Sequence, residues 1–240
     1  MIKQNKVSKY FFYAIGEIVL VVIGILIALQ INNANDAKKE KKELYEYLSK
    51  ISNNIKLDVT NLKDIKSRRL KVVEDCKLAI QSFHANAFDL KTNLKAGQVF
   101  VDFYFAPNQS GYEALKNSSY LGKINGTRVD SLLDNYHVIL NKVLNEESSY
   151  ITYVENMEVL WTSNFDMSEL MKVYFQDTEK IRLQDLDADL QKKIIPMFKS
   201  EYFRSTVSRG SFQSNLLAYY DELIEAGNKV VEEINNIIDD

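Results

Sequence analysis

The stretch Tyr10–Ile31, YFFYAIGEIVLVVIGILIALQI, is an apolar run of 22 residues interrupted by one acid, Glu17. As a helix rising 1.5 Å per residue it covers roughly 33 Å, which matches a bilayer hydrocarbon core of about 30 Å. The competing reading is a cleaved signal peptide, because Lys3, Lys6 and Lys9 place a basic region before the apolar one. Three features favour an uncleaved anchor. The run exceeds an ordinary signal-peptide core, Glu17 interrupts it, and the text after Leu29, QINNAND, offers no small-x-small cleavage site.

Orientation is less clean, since Lys38, Lys39, Lys41 and Lys42 crowd the far side of the span. A short lysine-bearing tail resists translocation, however, whereas a long following domain crosses largely regardless of charge. The expectation is therefore a bacterial inner-membrane protein in which residues 1–9 form a cytoplasmic basic tail, 10–31 the transmembrane helix and 32–240 a periplasmic domain.

Within the span, Glu17 is the residue most suggestive of function, because an ionisable group in hydrocarbon is costly and usually faces a partner or a polar cavity. Gly24 and Ala28, four residues apart, and Gly16 would let another helix approach closely. Glu17, Gly24 and Ala28 are thus candidates for an intramembrane contact. The alternatives are an acid tolerated near the interface and, less naturally for one span, an ion or proton path.

The text YAIGEIVLVVIGILIALQINN resembles the GEIVLVVIGILIALQINN signature of an uncharacterised family of single-span bacterial membrane proteins, a domain-of-unknown-function family. A second segment, GYEALKNSSYLGKI followed by LLDNY, extends the resemblance over most of the chain. Members typically carry Trp where this chain has Ala34 and Gly where it has Ser119, which removes an interfacial aromatic and leaves Gly122 to take the helix-capping turn. The resemblance implies membrane anchoring and a helical outer domain. It supplies no activity.

With only 8 Gly and 2 Pro among 240 residues, long uninterrupted helices are expected. Leu44, Leu48, Ile51, Ile55, Asp58, Leu62, Ile65, Arg69, Val72, Cys76, Ala79 and Phe83 alternate steps of four and three, a heptad seam. Tyr47, Val59, Val73 and Ile80 widen it, as in a bundle rather than an isolated coiled coil. The two polar members, Asp58 and Arg69, read as a solvated rim or a register-setting pair with partners elsewhere, or as a ligand site inside the bundle. Residues 86–109 break the pattern with either a short strand or a buried helical turn, and Phe100, Phe103, Tyr104 and Phe105 are expected to cap the bundle end.

Ser110 with Glu113 predicts a capping box opening a short helix, and Thr127 with Asp130 another helix start. A long helix follows, with Leu132, Tyr136, Ile139, Val143, Glu146, Tyr150, Tyr153, Met157 and Leu160 on its seam, ending near 161–166. Short helices are expected at 168–175 and at 185–199, where Pro196 bends or ends the second. A last long helix from about Ser211 presents Phe212, Leu216, Tyr219, Leu223, Val230, Ile234 and Ile237. The expected fold is all-α: an N-terminal transmembrane helix continuing into an antiparallel long-helix bundle with short accessory helices.

Setting aside Lys3, Lys6, Lys9 and Glu17, 27 of the 30 basic and 32 of the 33 acidic residues remain, a formal charge of −5, which is no nucleic-acid footprint. Phosphate loops, dinucleotide fingerprints and zinc motifs are absent from the sequence. His137 shares a helical face with Asp134 and Asp130, a weak metal-ligand pattern that ordinary surface polarity also explains. Cys76, the one cysteine, falls on the seam and reads as a packed thiol. No catalytic residue, cofactor or metal is therefore assigned, and no enzyme activity is expected. The bilayer and a second copy or an envelope protein are the expected partners, with scaffolding favoured over ligand sensing through a partner protein.

Overall fold

The computed structural model describes residues 5–176 and 180–239. Its organising element is α1, Asn5–His84, one helix of 80 residues and about 120 Å long. It passes residues 31 and 32 without a break, because no Gly or Pro falls between Ile25 and Ala96 to interrupt it. Residues 9–41 are exposed. From Leu48 to Ala79 every position of the expected seam is buried, Asp58 and Arg69 included, with Leu44 and Phe83 half-buried at its ends.

After α1 the chain descends along it through α2 (Leu90–Ala96), a 3-10 turn (Gly97–Phe100), an extended stretch 101–109, α3 (Ser110–Lys116) and α4 (Leu121–Ile124). Four contacts mark the descent. Arg69 Nη2 donates to the Phe103 carbonyl, the Asn108 N–H donates to Asp58, the Tyr120 hydroxyl donates to Glu43, and Lys123 pairs with Glu40 at 2.7 Å. Where α3 crosses α1 there is no room for a side chain, since a Cβ on Gly111 would lie 2.9 Å from the Ile51 nitrogen.

The chain then climbs through α5 (Arg128–Asn164), parallel to α1, and folds α6 (Met167–Tyr174), a 3-10 turn (Leu183–Asp185) and α7 (Ala188–Lys199) over the distal end. It descends again through α8 (Glu201–Gly210) and α9 (Ser214–Asp239), antiparallel to both long helices. The result is an up-down-up-down bundle, all-α among the described residues. α9 fits closely because Gly227 sits where a Cβ would meet Val59 at 2.9 Å and Ile55 at 3.1 Å.

Two apolar cores fill the bundle. The proximal one joins Leu48 to Ile65 of α1 with Leu133, Leu140 and Val143 of α5 and Leu216, Leu223 and Val230 of α9. The distal one joins Val72, Cys76 and Ala79 with Trp161, Phe198, Phe203 and Val207. Each fully buried Leu, Ile or Phe contributes about 1.5–3 kcal/mol, so packing holds these helices more than propensity does.

Several sequence expectations are corrected. Of the two alternatives for residues 86–109, the structure takes the buried helical turn, at Leu90–Ala96 and Gly97–Phe100, but the aromatics do not all cap the bundle end: Phe103 packs against both cores, Phe105 lies in the proximal one, and Tyr104 is 60% exposed. Ser110 does not cap α3: its N–H donates to Asn108 Oδ1, and the helix lacks a side-chain cap. The left-handed cap expected after α3, at Ser119 or Gly122, does not form: α3 ends on Asn117 (φ −87°), Gly122 lies in α4, and the glycine with positive φ is Gly126 (φ 73°), before α5. Thr127 does cap α5, accepting from the Asp130 N–H, whose carboxylate accepts from the Gly126 N–H. On α5 the buried positions are Glu147 and Trp161 rather than Glu146 and Leu160. Phe212 is 72% exposed and precedes α9, because Gly210 ends a separate helix, α8, that the sequence pattern does not announce. Pro196 lies inside α7, which ends three residues later at Lys199.

Candidate functional site

Glu17, Gly24 and Ala28 lie on the exposed part of α1, away from the rest of the molecule. At 100° per residue they fall within about 40° of one line along the helix. Nothing approaches Gly16 or Gly24 within the reach of a Cβ. The window that contains them has mean hydropathy 2.6 and none of it is buried, so this helix is long and apolar enough to cross a membrane.

The polar seam residues go to two different places. Arg69 is 2% exposed and sits between the two cores. Its guanidinium donates through Nε to the Tyr220 hydroxyl at 3.0 Å, through Nη1 to Gln213 Oε1 at 3.0 Å and through Nη2 to the Phe103 carbonyl at 3.1 Å. Its Nη2 also lies 3.6 Å from Glu147, which is 3% exposed. Glu147 in turn accepts from the Tyr220 hydroxyl and, at 3.0 Å, from the Phe105 N–H. The rings of Phe103 and Tyr150 flank the guanidinium at 4.7 and 5.1 Å. Burial pushes the Glu147 carboxyl above its ordinary value, opposed by the Tyr220 and Phe105 donors and by the Arg69 charge.

This node ties together α1, the 101–109 stretch, α5, the last residue of the α8–α9 link (Gln213) and α9 itself through Tyr220. Its donors and acceptors are spent on one another, so it serves register rather than a substrate. The signal for Glu147 was present in the sequence: Tyr136, Leu140, Val143, Glu147, Tyr150 and Val154 alternate four and three, and an acid on that row opposite Arg69 is a counter-ion. Tyr220 and Gln213 carried no comparable signal, because their roles depend on how α9 is set against α1.

Asp58, 6% exposed, does not pair with Arg69. Both its oxygens accept from the Asn108 N–H, at 3.0 and 3.1 Å. Beside it lies a cavity of about 20 Å³ lined by Asn54, Asn108, Tyr112, Tyr136 and His137, where Asn54 Oδ1 and the Tyr136 hydroxyl have no hydrogen-bond partner. His137 turns to Leu133 and Tyr112 rather than to a carboxylate: its Nδ1 lies 2.7 Å from the Leu133 carbonyl and its ring 4.0 Å from that of Tyr112. Cys76 packs against the Ala96 carbonyl, and burial raises its thiol to about 12, so it is a poor nucleophile.

Burial raises the Asp58 carboxyl above 3.8, with the Asn108 N–H opposing. A carboxyl whose pKa is raised by folding stabilises the native state fully below its unfolded value, and that contribution is lost as pH rises through the folded one. Asp58→Asn keeps an acceptor for Asn108 and has no charge to desolvate. Its melting temperature should therefore exceed the wild type at neutral pH, with the gap closing on acidification. Thermal unfolding followed by circular dichroism across pH measures this, and a variant less stable at neutral pH would contradict it.

The fold and its sites define a class: a helical bundle carried on a helix whose N-terminal part is bare and apolar. Within that class the chain belongs to the Family of unknown function (DUF6090), whose model matches residues 17–186. The match takes in Glu17, Gly24, Ala28, Arg69 and Glu147 and stops short of α7, α8 and α9. No curated protein and no solved structure matches the chain.

Proposed function

We propose that the chain is a non-enzymatic, membrane-anchored scaffolding or interaction protein of the bacterial cell envelope. Residues 10–31 cross the inner membrane with the N-terminus in the cytoplasm, and the bundle stands on the periplasmic side. The observation that carries this reading is α1 itself, a single helix whose apolar part is bare on every side while its other half forms the spine of a packed bundle.

The lowest bundle contact, Lys123 to Glu40, lies nine residues beyond Ile31, roughly 14 Å along the helix. The bundle therefore stands close to the membrane surface on a stiff stem. Glu17, Gly24 and Ala28 form the face through which a second copy or another envelope protein associates, since small residues let helices approach and an acid in hydrocarbon gains from a partner.

Crosslinking from residues on that face in native membranes should capture a dimer or a defined envelope protein, and Gly24→Leu should abolish most of the product. Capture of monomer alone would refute association, and release of the chain by alkaline extraction would refute anchoring. The second reading, an extracytoplasmic ligand-sensing bundle that signals through a partner protein, is favoured by a pocket of about 320 Å³ at the C-terminal end of α1, lined by Phe83, Phe88, Asn93, Lys199 and Arg204 among others.

A further inference from the structure

Just beyond the apolar part of α1, Lys38, Lys39, Lys41 and Lys42 are interleaved with Asp36, Glu40, Glu43 and Glu46, so the segment is neutral in sum. The helix sorts them by side. At 100° per residue Lys38, Lys41 and Lys42 share roughly 100° of arc, and Asp36, Glu40 and Glu43 share roughly 60° centred about 180° away. The acidic side faces the bundle and is used there: Glu40 pairs with Lys123 at 2.7 Å, and Glu43 accepts from the Tyr120 hydroxyl. The basic side faces away. There Lys38, Lys41 and Lys42, with Tyr45 and Ser49, line an open groove of about 700 Å³ to which α1 alone contributes among the described residues.

These lysines are open to a partner. Among the described residues neither Lys38 nor Lys41 has a carboxylate within 4 Å, and Lys41 rests over the Tyr45 ring at 5.1 Å. Lys42 lies 4.0 Å from Glu46, but the two side chains are 79% and 68% exposed, and a pair so exposed holds weakly. Lys123 and Arg128, at the same end of the bundle, are already paired with Glu40 and Glu233. The reach of the α1 lysines is set by the helix: the Cα of Lys38 lies about 10 Å past Ile31 and that of Lys42 about 16 Å. Each Cα–Cβ bond tilts toward the helix N-terminus, which is toward the apolar segment, and an extended lysine chain spans about 6 Å. The Lys38 ammonium thus comes within about 4 Å of the level of Ile31, inside a headgroup layer about 5–8 Å deep. Those of Lys41 and Lys42 stop about 9–10 Å from that level, within a Debye length of the phosphates.

We propose that Lys38, Lys41 and Lys42 bind the phosphates of anionic phospholipids in the leaflet beside the bundle. The proposal rests on the reading that residues 10–31 cross the membrane, and adds the class of lipid that the anchor selects. Complementary charge carries it: three cations on one side of the stem, unopposed there, at the height of a phosphate surface. Because the basic side is opposite the bundle, the attraction draws α1 down on that side and lifts the bundle on the other, where Asp36, Glu40 and Glu43 are repelled. Anionic lipid thereby sets the direction in which the stem tilts, since interfacial lysines help to fix tilt.

The test is electron paramagnetic resonance of the full chain reconstituted in phosphatidylcholine vesicles that carry a trace of spin-labelled phosphatidylglycerol or spin-labelled phosphatidylcholine. The immobilised fraction of each label gives its relative affinity for the protein. Lys3, Lys6 and Lys9 flank the other end of the span and attract anionic lipid too, so the reading is the difference between proteins. Lys38→Gln, Lys41→Gln and Lys42→Gln together should lower the preference for phosphatidylglycerol at least about fivefold, the worth of one lysine at a membrane surface. The same change of charge higher on α1, Lys56→Gln, Lys63→Gln and Lys71→Gln together, roughly 37–60 Å past Ile31, should leave it intact. All six side chains are exposed, so both variants should keep the wild-type melting temperature. A wild type without the preference, a preference untouched by the first set, or an equal fall with the second would each overturn the assignment. Alkaline extraction separates the two readings: protein retained in the vesicles but showing no difference refutes lipid selection alone, while protein released refutes anchoring and this proposal with it.

Discussion

Arg69→Ala and Glu147→Ala should each cost the bundle about 3–5 kcal/mol, the penalty for leaving one charge of a buried pair without its counterpart. Arg69 loss leaves the buried Glu147 carboxylate with the Tyr220 and Phe105 donors but no counter-charge, and frees the Phe103 carbonyl and Gln213 Oε1 as well. Glu147 loss strands the guanidinium and the Phe105 N–H. Because each substitution destroys the same network, their effects should not add. Arg69→Ala combined with Glu147→Ala should cost less than the summed singles by about 1–3 kcal/mol, the coupling expected within one hydrogen-bonded cluster. Urea unfolding of the full chain in micelles, followed by helical circular dichroism, measures all three. Strict additivity would show that the two residues do not act as one node.

The same residues show how far a sequence of this kind can be read. The α1 seam was legible down to single positions, because a 4-3 alternation over some forty residues averages out local noise and an uninterrupted helix leaves no phase ambiguity. It announced that Asp58 and Arg69 are inward-facing. It could not say that they bond to different elements, since pairing depends on how far the 101–109 stretch descends along α1. On α5 the phase went astray at the acid: Glu146 and Glu147 are adjacent and each keeps a four-three row from Val143 to Tyr150, so only the longer row through Leu140, Val154 and Trp161 tells which is buried.

The α8–α9 junction was read as one helix start because Phe212 looks like a core residue. Yet Gln213 is the buried one, folding its amide back to the Gly210 carbonyl at 2.8 Å and onto Arg69. Glu17, Gly24 and Ala28 were legible as a face because a single helix defines a face. The pocket at the end of α1 was not, because Asn93, Lys199 and Arg204 come from three helices and share no spacing.

Phe203→Ala should be the other severe substitution, at about 3–5 kcal/mol for a fully buried aromatic, and its consequence should be local. Phe203 is wholly buried at the centre of the distal core, with its ring 5.0 Å from Phe198, 5.2 Å from Trp161 and 6.2 Å from Phe100. Trp161 is the single tryptophan of the chain and donates its Nε1–H to the Met197 carbonyl at 3.0 Å, so its emission reports this core and no other. Removing the Phe203 ring should shift that emission to the red.

The proximal core touches none of these rings and joins the distal one through the Arg69 layer. A distal core weakened this far should therefore open first: in the variant, the Trp161 transition in urea should precede the loss of helix, whereas in the wild type the two should coincide. Coincident transitions in the variant would mean that the node transmits packing between the cores as one cooperative unit. The coupling measured for Arg69 and Glu147 would then belong to the whole bundle and not to the layer alone.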